Sequence, residues 1–461
     1  MNTPILKQRD GTFVGNAAIE TFKQKFRGHV VLPGDSDYDS ARKIWNASID
    51  KRPGLIAQCS DVEDVVSAVK FARENQILVA IKGGGHNVAG RALCDDGIVI
   101  DLSAMNRAVV DPESRTVHVQ GGALLGDIDR ETHPHGLAVP TGVVSKTGIA
   151  GLTLGGGVGW LVRKYGLTID NLLECEVVTA TGDRVVANKD TNVDLFWALR
   201  GGGGNFGVVT SFLFQAYPVP TVLAGLVLYP REQAGAVLRH YRDFMPSAPE
   251  ELTAYTGLIS TPDGNPAVGV IACYCGDLAE GERVLAPLRA FGTPMVDTVK
   301  PMPFMVMQQM LQESFPDDTY NYWKSTFLSE MTDEVLDVIV EHANGMQSPL
   351  SSVLVEFYAG AASRVGLADT AFAQRRAEFN VGFMAQWTDA VENDKHIGWT
   401  RDMAKALEPY SSGSLLNFMS GGSPEAIQAA FGSNHARLVE VKTKYDPTNF
   451  FSINQNVVPR G

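Results

Sequence analysis

Residues 77–87 read Ile-Leu-Val-Ala-Ile-Lys-Gly-Gly-Gly-His-Asn, an apolar run that closes on Lys82, three consecutive glycines, His86 and Asn87. The run has the length and texture of a buried strand. Consecutive glycines leave backbone N–H groups unshielded, and a turn there can aim several of them at one anion such as a pyrophosphate. His86 then stands where a ligand's reactive carbon would meet an imidazole. The same residues also suit a plain tight turn carrying a surface histidine.

Upstream, Asp61-Val62-Glu63-Asp64 is a helix-capping signal, followed by Val65, Val66, Val69 and Phe71 at helical spacing. Downstream, 97–102 is a second apolar run. Thr116 to Gln120 alternates and enters Gly121-Gly122, and 123–136 reads as a helix stopped by Gly136. The stretch 140–160 is dense in glycine and has little periodicity. Leu173 to Thr179 and Arg184 to Ala187 flank a Thr181-Gly182-Asp183 turn and predict a hairpin. Residues 194–200 predict a short helix, 208–217 a strand, and Pro218-Val219-Pro220 a boundary. Beyond it glycine runs vanish. Strands are expected at 222–229, 267–274, 322–328, 351–358 and 379–387. Helices are expected at 231–245, 279–291, 332–345, 396–407 and 434–444. No internal repeat and no low-complexity tract interrupts the pattern.

The chain has 461 residues, enough for about three domains of ~150 residues or two large ones. Lys and Arg total 39 against 52 Asp and Glu, a formal charge of -13, which argues against nucleic acid or an anionic membrane as partner. No apolar run approaches the ~18 residues of a membrane span, and the first residues lack a signal-peptide core. Cys59, Cys94, Cys175, Cys273 and Cys275 have no ligand spacing and fit reduced, buried thiols, so a cytoplasmic location is expected.

Three motif matches fail on context. Gly202-Gly203-Gly204-Asn205-Phe206-Gly207 fits G-x-G-x-x-G, but a helix precedes it and a strand follows, the reverse of a dinucleotide fold. Val144-Ser145-Lys146-Thr147 lacks the glycines of a phosphate loop. His133 and His135 flank Pro134 with no carboxylate or cysteine at ligand spacing, so no metal site is expected.

Taken together, Lys82 to Asn87, Gly121-Gly122, Thr141-Gly142, Gly155 to Trp160, Tyr165 to Asn171 and Asp194 to Val209 resemble the flavoprotein oxidases of the vanillyl-alcohol oxidase superfamily. The tail Lys442 to Phe451 with Asn454-Gln455-Asn456 resembles their berberine-bridge-enzyme-like branch. Within it, the pattern is most similar to the bacterial 6-hydroxynicotine oxidases and the EncM-type oxygenases. The implied fold class is α+β: a two-part FAD-binding domain, residues 1–218 with the returning segment 415–461, and an α+β substrate domain with an antiparallel sheet, 219–414. The resemblance implies FAD held by Lys82, Gly83, Gly84, Gly85, His86, Asn87, Gln120, Gly121, Thr141, Gly142, Gly148, Gly151, Gly157, Val208, Asn417 and Asn454. His86 matches the histidine that bonds the flavin 8-methyl carbon. Val144 stands where many members carry a second anchoring cysteine, so attachment through His86 only is implied.

The positions of the branch's usual bases hold Val158, Gly382 and Phe418. Alternative polar groups exist, although a substrate amine that is already deprotonated needs no strong base. Glu356 and Tyr358 share one face of the 351–358 strand by period 2, as Tyr322 and Lys324 do on 322–328. These four are the candidate catalytic set, although Glu356 paired with Lys324 across strands is an equally simple structural arrangement. The expected activity is hydride removal from a small amine, alcohol or secondary metabolite, with O2 as acceptor. The alternatives are an EncM-type oxygenase on a polyketide-like substrate and a flavin-binding protein without turnover. The expected partners are a small-molecule substrate and O2, with a monomer or homodimer as assembly.

Overall fold

The computed structural model describes residues 6–460, and its strands form four sheets. In the first, His29–Val31, Leu55–Gln58, Ile98–Asp101 and Val79–Lys82 lie in that order. The last three are parallel, so each needs a crossover, and the helix Val62–Glu74 supplies one. Asp61 caps that helix by accepting a hydrogen bond from the Asp64 N–H at 3.1 Å. Its buried face, Val65, Ala68, Val69 and Phe71, packs on the sheet. Each such large apolar side chain contributes ~1.5–3 kcal/mol of transfer free energy.

The second sheet is antiparallel, in the order Ala108–Asp111, Thr116–Gln120, Val208–Gln215, Leu172–Val178, Arg184–Asn188. Phe212, Phe214 and Trp197 build its core, and the chain returns to this core 200 residues later. The helices Pro424–Phe431 and His435–Tyr445 contribute Ile427, Phe431, Leu438 and Val441 to it. A two-stranded ribbon joins Leu137–Ala138 to Tyr217–Pro218.

The largest sheet has nine strands, all antiparallel. One face buries Val237, Leu238, Leu285, Leu336, Ile339, Met403 and Leu407 from four helices. The opposite face meets residues 160–169 and the cleft described below. The α+β class expected from sequence is the observed one. One central strand, Leu252–Ser260, was not among the expected strands. Thr253, Thr256 and Gly257 blur its alternation, and it is buried along most of its length because it is covered on both faces.

Candidate active site

A cleft runs between the glycine-rich loops and the open face of the nine-stranded sheet. Gly83 to Asn87 form one wall, directly after the strand Val79–Lys82. Gly84 admits no side chain, since a Cβ there would lie 2.6 Å from the Gly148 nitrogen, and one on Gly148 would lie 2.4 Å from the Gly84 nitrogen. Two backbones thus touch at the cleft floor, and only glycine at both positions permits it. Gly142, Gly148, Gly151, Gly157, Val208, Asn417 and Asn454 line the same cleft. Asn417 Nδ2 donates to the Gly151 carbonyl at 3.2 Å, and Asn454 Nδ2 to the Gly204 carbonyl at 2.8 Å.

Four expected cofactor residues stand behind this lining instead of in it. Lys82 Nζ pairs with Asp101 at 3.1 Å and donates to the Ala41 carbonyl at 2.9 Å, beneath the turn. Gln120 accepts from the Arg107 N–H at 3.0 Å, Gly121 packs on the Val209 carbonyl, and the Thr141 hydroxyl accepts from Gln308 Nε2 at 3.1 Å. Each supports a loop that reaches the cleft, since its polar atoms or close contacts are taken up by the protein.

The cleft retains unpaired polar atoms. His86 Nε2 and Asn417 Oδ1 are buried without a partner. Burial pushes the His86 imidazole down to about 4, so it is neutral at pH 7 with a lone pair available. Arg91, which the sequence reading missed, also lines the cleft, its Nε is buried without a partner, and it has no ion-pair partner among the described residues. A lone cation on an otherwise apolar loop four residues after Asn87 was the available signal. A glycine cradle, a neutral imidazole and an unpaired guanidinium fit a flavin dinucleotide with its anionic pyrophosphate.

Across the cleft the wall is aromatic and aliphatic: Phe315, Trp323, Leu354, Met384, Leu415 and Phe418. Glu356 is the one carboxyl among the lining residues. Register explains why. Glu356 pairs with Tyr255 on one side and Asn380 on the other, and Asn380 pairs with Phe327. Side chains of directly paired residues share a face, so this row turns to the cleft side together with Tyr358. Asn380 Nδ2 donates to Glu356 Oε2 at 2.7 Å, and the Tyr358 hydroxyl donates to the same oxygen. Desolvation still dominates and pushes the Glu356 carboxyl up to about 7. Asn380 was missed because a strand asparagine carries no motif.

Lys324 and Tyr322 require a correction. Lys324 pairs with Phe383, and Phe383 with Val353, both of which belong to the helix-side core. The Tyr322 hydroxyl accepts from Arg401 Nε at 3.4 Å, on the helix Asn393–Leu407. Both residues therefore lie on the sheet face away from Glu356. The cleft face of their strand is carried by its odd positions, Trp323 among them. A Glu356–Lys324 pair is equally excluded.

The three positions without the usual bases are accounted for locally. Val158 and Phe418 line the cleft, and a Cβ on Gly382 would lie 3.2 Å from the Phe418 ring. Phe418 occupies the room a longer side chain at 382 would need, so the two departures are coupled.

An "FAD binding domain" family model matches residues 53–188 and a "Berberine and berberine like" model residues 414–458. An FAD-linked oxidoreductase of Dictyostelium discoideum is 33% identical over 446 residues, covering 96% of this chain and 97% of that protein. The (R)-6-hydroxynicotine oxidase of Paenarthrobacter nicotinovorans is 32% identical over 456 residues, covering 94% of this chain and 97% of its own. The crystal structure of 6-hydroxy-D-nicotine oxidase from Arthrobacter nicotinovorans superposes with a TM-score of 0.87 at 32% identity, over 95% of this chain and 99% of that one. The xylooligosaccharide oxidase of Myceliophthora thermophila shares the fold, with a TM-score of 0.88 at 24% identity over 96% of this chain and all of that one. The glycine cradle, the returning tail and full-length similarity agree: the chain belongs to the FAD-linked oxidoreductases of the vanillyl-alcohol oxidase superfamily, in the berberine-bridge-enzyme-like branch.

Proposed function

We propose that this enzyme is an oxidase of small, largely apolar amines or alcohols, with Glu356 as the group that orients the substrate and takes its proton. The observation that carries this reading is the solitary carboxyl, raised to about 7, in an aromatic and aliphatic wall. Bound FAD supplies the hydride acceptor, with O2 as the final electron acceptor. Residues 1–218 with 415–461 hold the cofactor in this reading, and 219–414 hold the substrate. His86 attaches the flavin, and Val144 leaves it the sole anchor. Arg91 neutralises pyrophosphate charge.

Tyr358 and Asn380 both donate to Oε2 of Glu356, which leaves Oε1 without a protein partner among the described residues. That oxygen accepts the substrate N–H or O–H, and a carboxyl titrating near neutrality suits proton transfer at physiological pH. Trp323 lines the same wall with its indole N–H unpaired, a donor for one acceptor on the substrate. An oligosaccharide, with hydroxyls on every edge, would leave most of them unpaired against this wall. The likeness to the 6-hydroxynicotine oxidase supports the amine side of the reading.

The test is a panel of aromatic amines, alcohols and oligosaccharides read by peroxide release, followed by stopped-flow flavin reduction with the best substrate. Turnover confined to amines or alcohols is expected. Glu356→Gln should slow reduction by ~100-fold, the scale of a lost acid–base partner. Reduction of this variant at the parent rate, or preferred turnover of oligosaccharides, would overturn the reading.

A further inference from the structure

We propose that Trp45 is the positioning residue of the His86 anchor: its indole holds the imidazole in one plane and ties that plane to the substrate wall. The inference rests on the attachment of flavin through His86 proposed above. The Trp45 and His86 rings lie face to face, 4.3 Å between centroids and 10° between planes. The Trp45 indole N–H donates to the Phe315 carbonyl at 3.2 Å, and its edge meets Trp323 at 5.1 Å. Phe315, Trp323 and His86 all line the cleft, so one buried side chain touches both the cofactor wall and the substrate wall.

The segment that carries Trp45 is itself clamped. The Trp45 N–H donates to the Gly85 carbonyl at 3.2 Å, and Ile44 packs on Gly85. The neighbouring Asn46 is fully buried. Its amide donates to the Val88 carbonyl at 2.7 Å and the Asn321 carbonyl at 3.0 Å, and its oxygen accepts from the Asn321 N–H at 3.0 Å. Residues on both sides of the anchor and on the substrate sheet thus fix the indole, and the indole fixes the ring. Nε2 of His86 is unpaired and the ring's one hydrogen bond is to the backbone of His86 itself, so among the described residues no hydrogen bond ties the imidazole to a neighbour and the stack does so. Burial keeps the imidazole neutral, as a nucleophile must be.

Attachment forms one N–C bond to the flavin 8-methyl carbon and breaks one C–H and one imidazole N–H bond. The two electrons and two protons released are taken up by O2, giving hydrogen peroxide. A ring free to tilt presents its nitrogen to that carbon for a smaller share of the time, so loading falls with the stack.

The experiment compares purified wild type, His86→Ala, Trp45→Leu and Trp45→Phe. The readout is the share of bound flavin that stays with the acid-precipitated chain, beside total flavin absorbance and melting temperature. Wild type should retain its flavin and His86→Ala should release it. Trp45→Leu should retain about fivefold less than wild type, the scale set by the geometry of an aromatic pair, and Trp45→Phe, which keeps a smaller stacked ring, only about twofold less. If Trp45→Leu holds acid-stable flavin like wild type, the positioning role fails and the His86 attachment stands. If acid strips wild type as fully as His86→Ala, the attachment reading fails and this inference with it. Should Trp45→Leu not fold, Trp45→Phe decides: about twofold lower retention at unchanged melting temperature is expected from a smaller ring, and retention equal to wild type overturns the role.

Discussion

For the proposed role of Glu356, protonation is the controlling variable. Its carboxyl titrates near 7, so the ionised form that accepts a proton grows as pH rises through that value. Flavin reduction should climb to a plateau above about pH 7, and Glu356→Gln should flatten the profile; a wild-type profile flat between pH 5 and 9 would sink the base role. Lys324 offers the complementary test. It shares a strand with Trp323 and lies on the other face, so Lys324→Met should leave flavin reduction within about twofold of the parent, like other substitutions remote from the chemistry. Asp129 is a second raised acid, away from the cleft lining. It is buried, its carboxylate accepts, among the described residues, only from Gln308 Nε2 at 3.4 Å, and desolvation pushes it up to about 7. A raised acid favours the fold below its unfolded pKa and loses that contribution as pH climbs through the folded value. Stability should therefore fall between about pH 4 and pH 7. Asp129→Asn keeps an acceptor for Gln308 and should be more stable than wild type at pH 8, by on the order of 4 kcal/mol, with little difference at pH 4. Thermal unfolding of the two proteins at both pH values checks this.

At the scale of an element, the helix His435–Tyr445 does more than fill a core. Lys442, fully buried on it, pairs with Asp446 at 2.6 Å and donates to the Asn205 carbonyl at 2.7 Å and the Phe451 carbonyl at 3.0 Å. Asp446 accepts from the N–H groups of Phe450 at 2.7 Å and Phe451 at 2.9 Å. Every polar atom of the pair has a use, and together they hold the turn that carries Asn454 to the cleft next to Gly204. Breaking a buried pair leaves a charge stranded, at a cost of about 3–5 kcal/mol. Lys442→Met should lower the melting temperature of the flavin-loaded enzyme by several degrees, whereas the surface pair Lys444–Asp194 should contribute at most about 1 kcal/mol. Equal effects of Lys442→Met and Lys444→Met would show that the buried pair has no special weight.

On the scale of the whole molecule, the cleft is assembled from segments hundreds of residues apart. Asn205 donates to the Gln455 carbonyl at 3.1 Å, and Gln455 Nε2 donates to the Leu416 carbonyl at 3.0 Å. Removing residues 433–461 would therefore unroof the glycine-rich loops and strip Leu438 and Val441 from the second sheet's core. The truncated chain should load no flavin, as read by absorbance near 450 nm. A truncated protein that still loads it would show that the tail is dispensable to the cofactor wall.

Much of this was legible locally. The strand ending in Gly83-Gly84-Gly85, the Asp61 cap, the helix–loop–strand order around Gly202 to Gly207 and the long strands after Thr221, Leu252–Ser260 excepted, appear where spacing and composition expect them. These features depend on neighbours within a few residues, because dihedral preference, capping and alternation are short-range. Alternation placed Tyr322 with Lys324, and Glu356 with Tyr358, but a period of two defines two faces without saying which one meets the cleft. That choice fell to the helices. Once Met403 and Leu407 cover one side of the sheet, Lys324 goes with them and Trp323 turns inward. Trp45 against His86, Asn380 against Glu356 and Arg91 without a counter-ion are likewise relations between distant or unmarked residues. The amino-acid sequence by itself determined the elements and the glycine turn that admits a dinucleotide. Which polar groups share the cleft was decided only by tertiary packing, because burial of one sheet face selects, for a whole strand at once, the side chains left to the other.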